Sequence, residues 1–200
     1  MPFVPFPYHV DPETNVADQA WWNANEPAFN AINRVREELA TILFGWGYWV
    51  AFGSEYRHEI EPLFFSYRRV QAAAGISVWA RYGVMIRPDY GSNYCTCVLL
   101  TDAPLSPTPP ETFLDSFDPC TGCHLCADVC PPKAIEPDVN PPACYYNERC
   151  VRYVQGKRRN VEAQYHLRDA KVCGRCFSVC PWGPSFALAH RERFCELSID

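Results

Sequence analysis

Apolar side chains recur every three or four residues in the first quarter of the chain, which is the repeat of one face of an α-helix. The repeat comprises Phe29, Ile32, Val35, Leu39, Ile42 and Leu43. Asn25 is a suitable N-cap, Pro27 suits the first helical turn, and Gly45 and Gly47 interrupt the repeat. We therefore predict a helix from Asn25 to Gly45, followed by a short buried strand at 48–52.

The next apolar runs are shorter and are separated by polar or glycine-containing segments. A polar run predicts a loop, and residues 63–74 predict a second helix that Gly75 stops. Residues 82–87 and 94–100 flank the turn residues at 88–91. Two strand-like runs on either side of such a turn are typical of a hairpin.

The cysteines are distributed unevenly along the chain. Twelve are present, none lies before Cys95, and nine lie in the segment from Cys120 to Cys180. Cys95 and Cys97 alternate within the second run of the predicted hairpin, and we expect them to be small buried residues rather than ligands. The segment 102–119 contains five prolines, which disfavour helix and central strand, and it therefore predicts a linker.

These patterns predict an α+β protein of two parts. Residues 1–105 hold the predicted helices and strands, and residues 106–200 hold most of the cysteines. Hydrophobic residues make up 48% of the chain, which is enough to bury a real core.

Charge and hydropathy exclude several classes of partner. A net charge of −5 and a pI near 5.5 give no general attraction to nucleic acid or to anionic membranes. The start of the chain lacks the basic region, twin arginine and apolar core of an export signal. The most apolar stretch, 41–52, is too short to span a bilayer. We therefore expect a cytoplasmic protein without membrane insertion, whose thiols are reduced or bound to metal.

Four cysteines and a proline have the spacing of a bacterial ferredoxin motif, Cys120-x2-Cys123-x2-Cys126-x3-Cys130-Pro131. In this motif three closely spaced thiolates bind one [4Fe–4S] cluster, and the fourth binds a second cluster. The residue before Pro131 is held extended, so we expect the Cys130 sulfur to point away from the other three. Structural zinc, the alternative, is typically bound by two separated CxxC pairs.

A second, incomplete motif follows the first. It is Cys173-x2-Cys176-x3-Cys180-Pro181. It lacks the first cysteine of a full motif, so one ligand must come from elsewhere, and Cys144 and Cys150 are both candidates. By the crossed ligation of such motifs, the first cluster would take Cys120, Cys123, Cys126 and Cys180, and the second Cys130, Cys173, Cys176 and one candidate.

The second motif and the residues before it resemble a known family. Residues 149–153, followed by 173–182, are similar to the cluster domain that epoxyqueuosine reductase shares with the corrinoid-dependent reductive dehalogenases. In that pattern a lone cysteine with an aromatic residue shortly after it completes the second cluster. The resemblance therefore implies Cys150 as the ligand and leaves Cys144 and Cys195 unligated. Three upstream blocks are also similar to the family's pattern: 74–83, 86–91 and 101–105.

The resemblance implies both a fold and a chemistry. The fold would be a truncated corrinoid-reductase core, which is nitroreductase-like, followed by a dicluster ferredoxin-like domain. Two [4Fe–4S] clusters would pass electrons one at a time to a cobalamin. By the same resemblance, Arg81 takes a catalytic role as the basic residue near the corrinoid, and Gly75, Ser77 and Tyr82 contact the corrinoid. Tyr48 is a candidate catalytic residue, and Glu55, Tyr56 and His58 are alternatives.

The chain departs from the family's pattern in two places. Only 119 residues precede the first cluster motif, and Ser77 replaces a glycine whose bare backbone would admit a large ligand. Two hypotheses follow from this. The first is a cobalamin-dependent reductase, or the iron–sulfur subunit of one, with a redox partner protein and a small-molecule substrate. The second is a non-enzymatic electron carrier that has lost the corrinoid site.

A tRNA, the substrate of epoxyqueuosine reductase, is the less suitable partner. Twenty residues follow Cys180, where that enzyme has further helical repeats, and the overall charge is acidic. A local basic cluster, which we expect to be a solvated face, consists of Arg152, Lys157, Arg158 and Arg159. His124 lies inside the first cluster loop and is a candidate hydrogen-bond donor to sulfide, although most loop histidines have no such role.

Overall fold

The computed structural model describes residues 19–52, 66–94, 96–109, 114–165 and 173–190. Its helices are α1 (Gln19–Gly45), α2 (Tyr67–Ala73), α3 (Leu125–Asp128), α4 (Asn147–Tyr165), α5 (Arg175–Ser178) and α6 (Pro184–Ala189). Its strands are β1 (Val50–Phe52), β2 (Val78–Trp79), β3 (Met85–Ile86) and β4 (Leu99–Thr101). This mixture of helix and short strand agrees with the predicted α+β class, whereas the nitroreductase-like core stays a prediction.

The first predicted helix is confirmed and is longer than predicted. α1 begins at Gln19, so the predicted start at Asn25 is wrong, and residues 19–24 contain no glycine or proline that would stop the helix there. The helix ends at Gly45 as predicted, and Gly47 follows with a left-handed φ of 88°. The N–H of Gly47 donates to a carbonyl of the last turn (2.9 Å), which satisfies that carbonyl at the helix end.

The first strand follows α1 and pairs with the last strand before the proline-rich segment. β1 pairs antiparallel with β4, with Val50 opposite Thr101 and Phe52 opposite Leu99. α1 packs against both strands. The strand predicted at 48–52 is therefore present but shorter, and its predicted burial is wrong because Phe52 is 48% exposed.

The predicted hairpin between residues 82–87 and 94–100 is wrong. β3 pairs instead with the preceding strand β2, and Val78 lies opposite Ile86. The second run contributes β4, which belongs to the other two-stranded sheet. The two runs are therefore neighbours in sequence but not partners in a sheet.

A contact with the C-terminal cysteine motif explains why the chain does not fold back along β3. The predicted turn forms, with Arg87 bridged to Gly91. Gly91 then packs so closely under the Trp182 carbonyl that a Cβ at residue 91 would overlap it. The N–H of Ser92 donates to the same carbonyl (2.7 Å), so the segment after the turn bonds to the second motif instead of β3.

α2 confirms part of the second predicted helix, and the predicted residues 63–65 lie outside the described chain together with the polar loop before them. The Ser66 side chain caps α2 by accepting from the N–H of Arg69 (3.4 Å). Gly75 follows the helix with a φ of 62°, which an L side chain adopts only at a cost. The predicted stop at Gly75 is thus confirmed.

The proline-rich segment is irregular where the structure describes it. Residues 102–109 contain no helix or strand, as predicted. Near its end Phe117 packs edge-on against Trp182, with 5.0 Å between ring centroids. The end of the predicted linker is therefore packed against the second cysteine motif, and the boundary between residues 105 and 106 stays a prediction.

The buried core of the described structure surrounds the cysteine motifs. Ala80, Ile86 and Ala134 are 0% exposed, and they belong to one apolar cluster that also contains several cysteines. Those cysteines are Cys120, Cys126, Cys130 and Cys180. Residues from both predicted parts of the chain therefore share this core. Among the described residues no helix is long and apolar enough to cross a membrane.

Candidate iron–sulfur site

Two short helices position the two cysteine motifs in the same way. α3 begins just before Cys126 and α5 just before Cys176. Cys130 and Cys180 follow the ends of these helices, and each N–H bonds back to the carbonyl three residues earlier (3.2 and 3.3 Å). Because α3 and α5 contact each other, the ends of the two motifs meet.

Cys126 interacts with each of the other cysteines predicted for the first set. Burial raises the pKa of its thiol to about 12, together with the charges of Cys120, Cys180 and Cys123. Charges affect one another's pKa values in this way only at short range. The structure therefore brings these four sulfurs together. That they bind one cluster stays a prediction.

Cys176 interacts in the same way with the second set. Burial raises the pKa of its thiol, and the charges of Cys173 and Cys150 raise it further. Smaller contributions come from Cys126 and Cys130. All three predicted partners therefore surround Cys176, and Cys126 marks the point where the first set adjoins the second.

The remaining described cysteines do not join either set. Cys144 is fully buried, and its Sγ donates to the backbone carbonyl of Arg81 (3.2 Å). Burial raises the pKa of Cys144, and the charged group that acts on it is Arg81 rather than another cysteine. The geometry thus favours Cys150 over Cys144 as the eighth ligand. Cys97 is half-buried, while Cys95 and Cys195 lie outside the described residues.

Backbone N–H groups donate to one sulfur in each set. The N–H of Arg81 donates to Cys120 Sγ (3.3 Å), and the N–H of Ala134 donates to Cys130 Sγ (3.2 Å). Hydrogen bonds of this kind stabilise thiolates and help to set the reduction potential of iron–sulfur clusters. Each set of sulfurs is therefore already provided with a fixed donor.

One tyrosine hydroxyl lies beside each set. The Tyr145 hydroxyl lowers the pKa of Cys150, and the Tyr82 hydroxyl, which donates to Ser92 Oγ (3.1 Å), lowers the pKa of Cys180, in each case against the larger effect of burial. Burial raises the pKa of both phenols, which keeps them protonated. The Tyr145 ring is held against the backbone of residue 83, where a Cβ would come within 2.5 Å of it.

Arg81 is a buried cation beside the first set. Its residue is 5% exposed, and in the described structure its guanidinium donates to five backbone carbonyls. The acceptors are the carbonyls of Cys123 (3.2 Å), Glu136 (3.3 Å), Pro137 (2.7 Å), Val139 (2.6 Å) and Cys120 (3.3 Å). The side chain therefore fastens the first cysteine loop to the segment that precedes α4.

The residues assigned to the corrinoid are engaged inside the protein. Ser77 is 3% exposed and donates to Gln71 Oε1 (3.1 Å), and Tyr82 is 5% exposed. Gly75 ends α2. Tyr48 follows α1, with its N–H bonded to a carbonyl near the helix end (3.1 Å), so it belongs to a different part of the fold from Arg81. The catalytic and corrinoid roles of these residues stay predictions.

His124 places an unsatisfied polar atom inside the first cysteine loop. Its Nδ1 is buried and has no hydrogen-bond partner in the described structure, although such atoms are normally paired. A cluster sulfur would supply the missing acceptor, and the all-thiol ligand sets suit iron–sulfur clusters. The residues present therefore fit [4Fe–4S] clusters. Within the described ranges, no group of three or more His, Cys, Asp or Glu side chains is arranged to hold a single metal ion.

Residues 119–183 match the family model of the 4Fe-4S double cluster binding domain. This chain contains a 4Fe-4S double cluster domain. The matched span includes both cysteine motifs and Cys150, and it ends beyond the second motif. The similarity of the chain to iron–sulfur proteins with paired clusters, inferred from the cysteine spacing, is thereby confirmed.

The double cluster domain and its flanks are similar to two groups of reductases. An epoxyqueuosine reductase of Atelocyanobacterium thalassa (isolate ALOHA) is 27% identical over 119 residues, which cover 57% of this chain and 36% of that protein. The epoxyqueuosine reductase of Bacillus subtilis is 28% identical over 117 residues, covering 57% and 28%. A trichloroethene reductive dehalogenase of Dehalococcoides mccartyi is 33% identical over 113 residues, covering 54% and 18%.

These comparisons confirm the resemblance seen in the sequence. The chain spans about a third or less of the length of these relatives, so their complete activities are not carried over with the similarity. No solved structure matches the chain significantly.

Sequence analysis did not find the donors that surround the cysteines. Tyr145 lies next to Cys144 and five residues before Cys150. This closeness to both candidate ligands is the one feature of the sequence that indicates a tyrosine near the cluster site. The backbone donors of Arg81 and Ala134 have no sequence signal, because any residue other than proline carries an N–H.

Proposed function

We propose that this chain carries two [4Fe–4S] clusters and passes electrons one at a time to a reductase. The observation that supports the proposal is that Cys126 interacts with Cys120, Cys123 and Cys180, whereas Cys176 interacts most strongly with Cys173 and Cys150. We assign the eight sulfurs to two sets of four, each drawn from both motifs. The first set is Cys120, Cys123, Cys126 and Cys180, and the second is Cys130, Cys150, Cys173 and Cys176. A cubane cluster takes four cysteine ligands, so two sets of four are what two clusters require.

The chain's own residues would prepare both sites. Bound clusters would supply one-electron redox chemistry. Burial protects the first set, since Cys120 and Cys180 are 8% exposed and Cys126 is 6% exposed. Backbone donors hold the Cys120 and Cys130 sulfurs in place. Because burial raises thiol pKa values, as at Cys126, assembly of the clusters must release protons from these groups.

The recipient of the electrons is proposed from the relatives, which are reductases by name. We infer a role in a cobalamin-dependent reductase, with the chain acting as the electron-supplying subunit and a partner holding the small-molecule substrate. Ser77, Tyr82 and Arg81 are buried and bonded internally, so they do not fit direct contact with a corrinoid. We therefore propose that any cobalamin that receives the electrons is not bound by these three residues.

A non-enzymatic two-cluster carrier is the alternative function. The burial of Ser77 and Arg81 supports it, because both positions belong to the family blocks at 74–83. The two functions share the clusters and differ in whether the chain, alone or with a partner, changes the state of a corrinoid.

Metal analysis of one anaerobic sample tests the proposal. After purification with cobalamin present, iron, acid-labile sulfide and cobalt are measured per chain, and the corrinoid spectrum is recorded after reduction of the protein. We expect about eight irons and eight sulfides with no bound cobalt, and reduction of added corrinoid. About eight irons with an unchanged corrinoid spectrum would favour the carrier. One zinc for every four cysteines, without sulfide, would contradict both.

A further inference from the structure

Arg81 forms no direct ion pair with a described carboxylate. The ion pairs among the described residues join Arg87 to Asp89 and Arg152 to Glu148. The charge of Arg81 acts on Asp118 at longer range, and that carboxylate accepts hydrogen bonds from the N–H of Cys120 (3.1 Å) and from the Thr121 hydroxyl. A buried charge without a direct ion pair is costly even when its N–H groups are all bonded.

Arg81 lies directly against the first set of sulfurs. Its backbone N–H donates to Cys120 Sγ (3.3 Å). The guanidinium is also tied directly to the first loop, through two of its carbonyls. A cation is therefore built into one cluster site.

We propose that Arg81 is the internal counter-charge of the first cluster and raises the reduction potential of that cluster relative to the second. The inference rests on the proposed function, which assigns the first cluster to Cys120, Cys123, Cys126 and Cys180. A bound [4Fe–4S] cluster with four thiolates is an anion, and it becomes more negative when it accepts an electron. A buried positive charge beside it stabilises the reduced form more than the oxidised form.

A higher reduction potential would make the first cluster the preferred location of an added electron. Burial of the first set disfavours added negative charge, and Arg81 offsets part of that penalty. An electron that enters at either cluster would therefore favour the first. Arg81 acts as a positioning residue for the electron and not as a group that contacts substrate.

Replacement of the charge is the direct test. The midpoint potentials of both clusters are measured by EPR-monitored redox titration of anaerobic, cluster-loaded protein, and the signals are assigned with Cys123→Ser and Cys173→Ser variants. We expect Arg81→Gln to lower the midpoint potential of the first cluster by about 59 mV. For one electron this shift corresponds to a tenfold change in the ratio of oxidised to reduced cluster at a given potential. The second cluster should change little.

Two further variants separate charge from mechanical support. Arg81→Lys keeps the charge but cannot donate to five carbonyls, so we expect it to retain most of the native potential. Arg152→Gln removes an exposed charge, whose side chain is 82% exposed, and should shift neither cluster. The proposal is overturned if Arg81→Lys behaves like Arg81→Gln, or if Arg152→Gln shifts the first cluster equally.

If the first cluster does not assemble in Arg81→Gln, the comparison with Arg81→Lys still tests the proposal. Assembly of that cluster in Arg81→Lys, at near-native potential, supports a counter-charge. Its loss in both variants shows that Arg81 is only a clamp. Wild-type protein without two cubane signals would refute the proposed function itself. Two signals in wild type that Arg81→Gln leaves unchanged would refute this inference alone.

Discussion

Apolar side chains are exposed in the α1–β1–β4 unit and buried around the cysteines. Phe44 is 77% exposed, Trp46 is 70% exposed, and the α1 stripe at Val35, Leu39 and Ile42 is close to half exposed. In the region around the cysteines, by contrast, the apolar cluster includes residues with no exposure at all, and four of the eight predicted ligands belong to it. The two regions differ in what holds them together.

The difference shows where the stability of the described structure resides. Half-exposed side chains contribute less to folding than buried ones, because only about half of their surface leaves water. The buried region contains the eight thiols, so its packing and cluster binding are coupled, and metal binding becomes part of its folding free energy. We therefore expect changes near the cysteines to affect both stability and iron content, and changes on α1 to affect neither strongly.

Removal of a ligand should have the largest effect. Cys150→Ala should destabilise the second cluster and lose between one and about four of eight irons, because one iron of that cubane loses its thiolate ligand. Cys144→Ala is the matched control, since Cys144 is a fully buried thiol six residues away that bonds to the Arg81 carbonyl. We expect it to retain both clusters. Iron and sulfide per chain, with EPR of the reduced protein, give the answer.

The reverse outcome would contradict the ligand assignment. If Cys144→Ala lost a cluster and Cys150→Ala kept both, the second set would have to be redrawn around Cys144. Equal loss in both variants would show that iron content reports folding in this region rather than ligation.

Deletion of apolar groups compares the two regions directly. Ile86 is 0% exposed, so Ile86→Ala should lower the free energy of unfolding by about 2–5 kcal/mol. Leu39 is 44% exposed on a helix, so Leu39→Ala should cost less than about 1 kcal/mol. Chemical denaturation of cluster-loaded protein measures both. Similar costs for the two variants would mean that α1 is packed in solution and that the contrast between the regions is wrong.

Two glycines test the contact that keeps the segment after β3 against the second motif. Gly91 has a φ of 60° and lies under the Trp182 carbonyl, whereas Gly47 has a φ of 88° and no atom within 4 Å of the place that a Cβ would take. Gly47→Ala should cost only the left-handed strain, about 1–2 kcal/mol. Gly91→Ala should cost more, because the Cβ also displaces the carbonyl. Thermal unfolding under anaerobic conditions compares the two.

Equal destabilisation by the two glycine variants would count against the close approach at Trp182. A larger cost at Gly47 would place the critical turn in the α1–β1–β4 unit instead, and would reverse the expected order of the two regions.

Local patterns predicted much of this structure, and contacts distant in sequence account for the errors. The repeat along α1 and the stop at Gly75 depend on neighbouring residues, and both were predicted. The ligand motifs were readable because three- and four-residue spacing is itself the geometry of cluster binding. The predicted hairpin is wrong because the chain after Gly91 bonds to the Trp182 carbonyl instead of pairing with β3. No local pattern encodes a contact between residues so far apart in the chain.

The role of Arg81 illustrates the same limit at the site. The family resemblance marked the position as significant and assigned it to a corrinoid. Its five acceptors come from two segments more than 38 residues away, so its burial and its proximity to Cys120 emerge only from the folded chain. The sequence identified which residues matter, whereas their interactions depended on tertiary structure.

The smallest expected effect concerns the two tyrosine hydroxyls. The Tyr145 hydroxyl affects the Cys150 thiol, whereas the Tyr82 hydroxyl donates to Ser92 Oγ (3.1 Å) and is therefore less available to sulfur. Loss of a donor to sulfur destabilises the reduced, more negative cluster, so Tyr145→Phe should lower the second cluster's potential by about 59 mV or less. Tyr82→Phe should lower the first cluster's potential by a smaller amount. Redox titration that showed no cluster-specific shift, or a larger shift for Tyr82→Phe, would show that these hydroxyls support packing and do not tune the clusters.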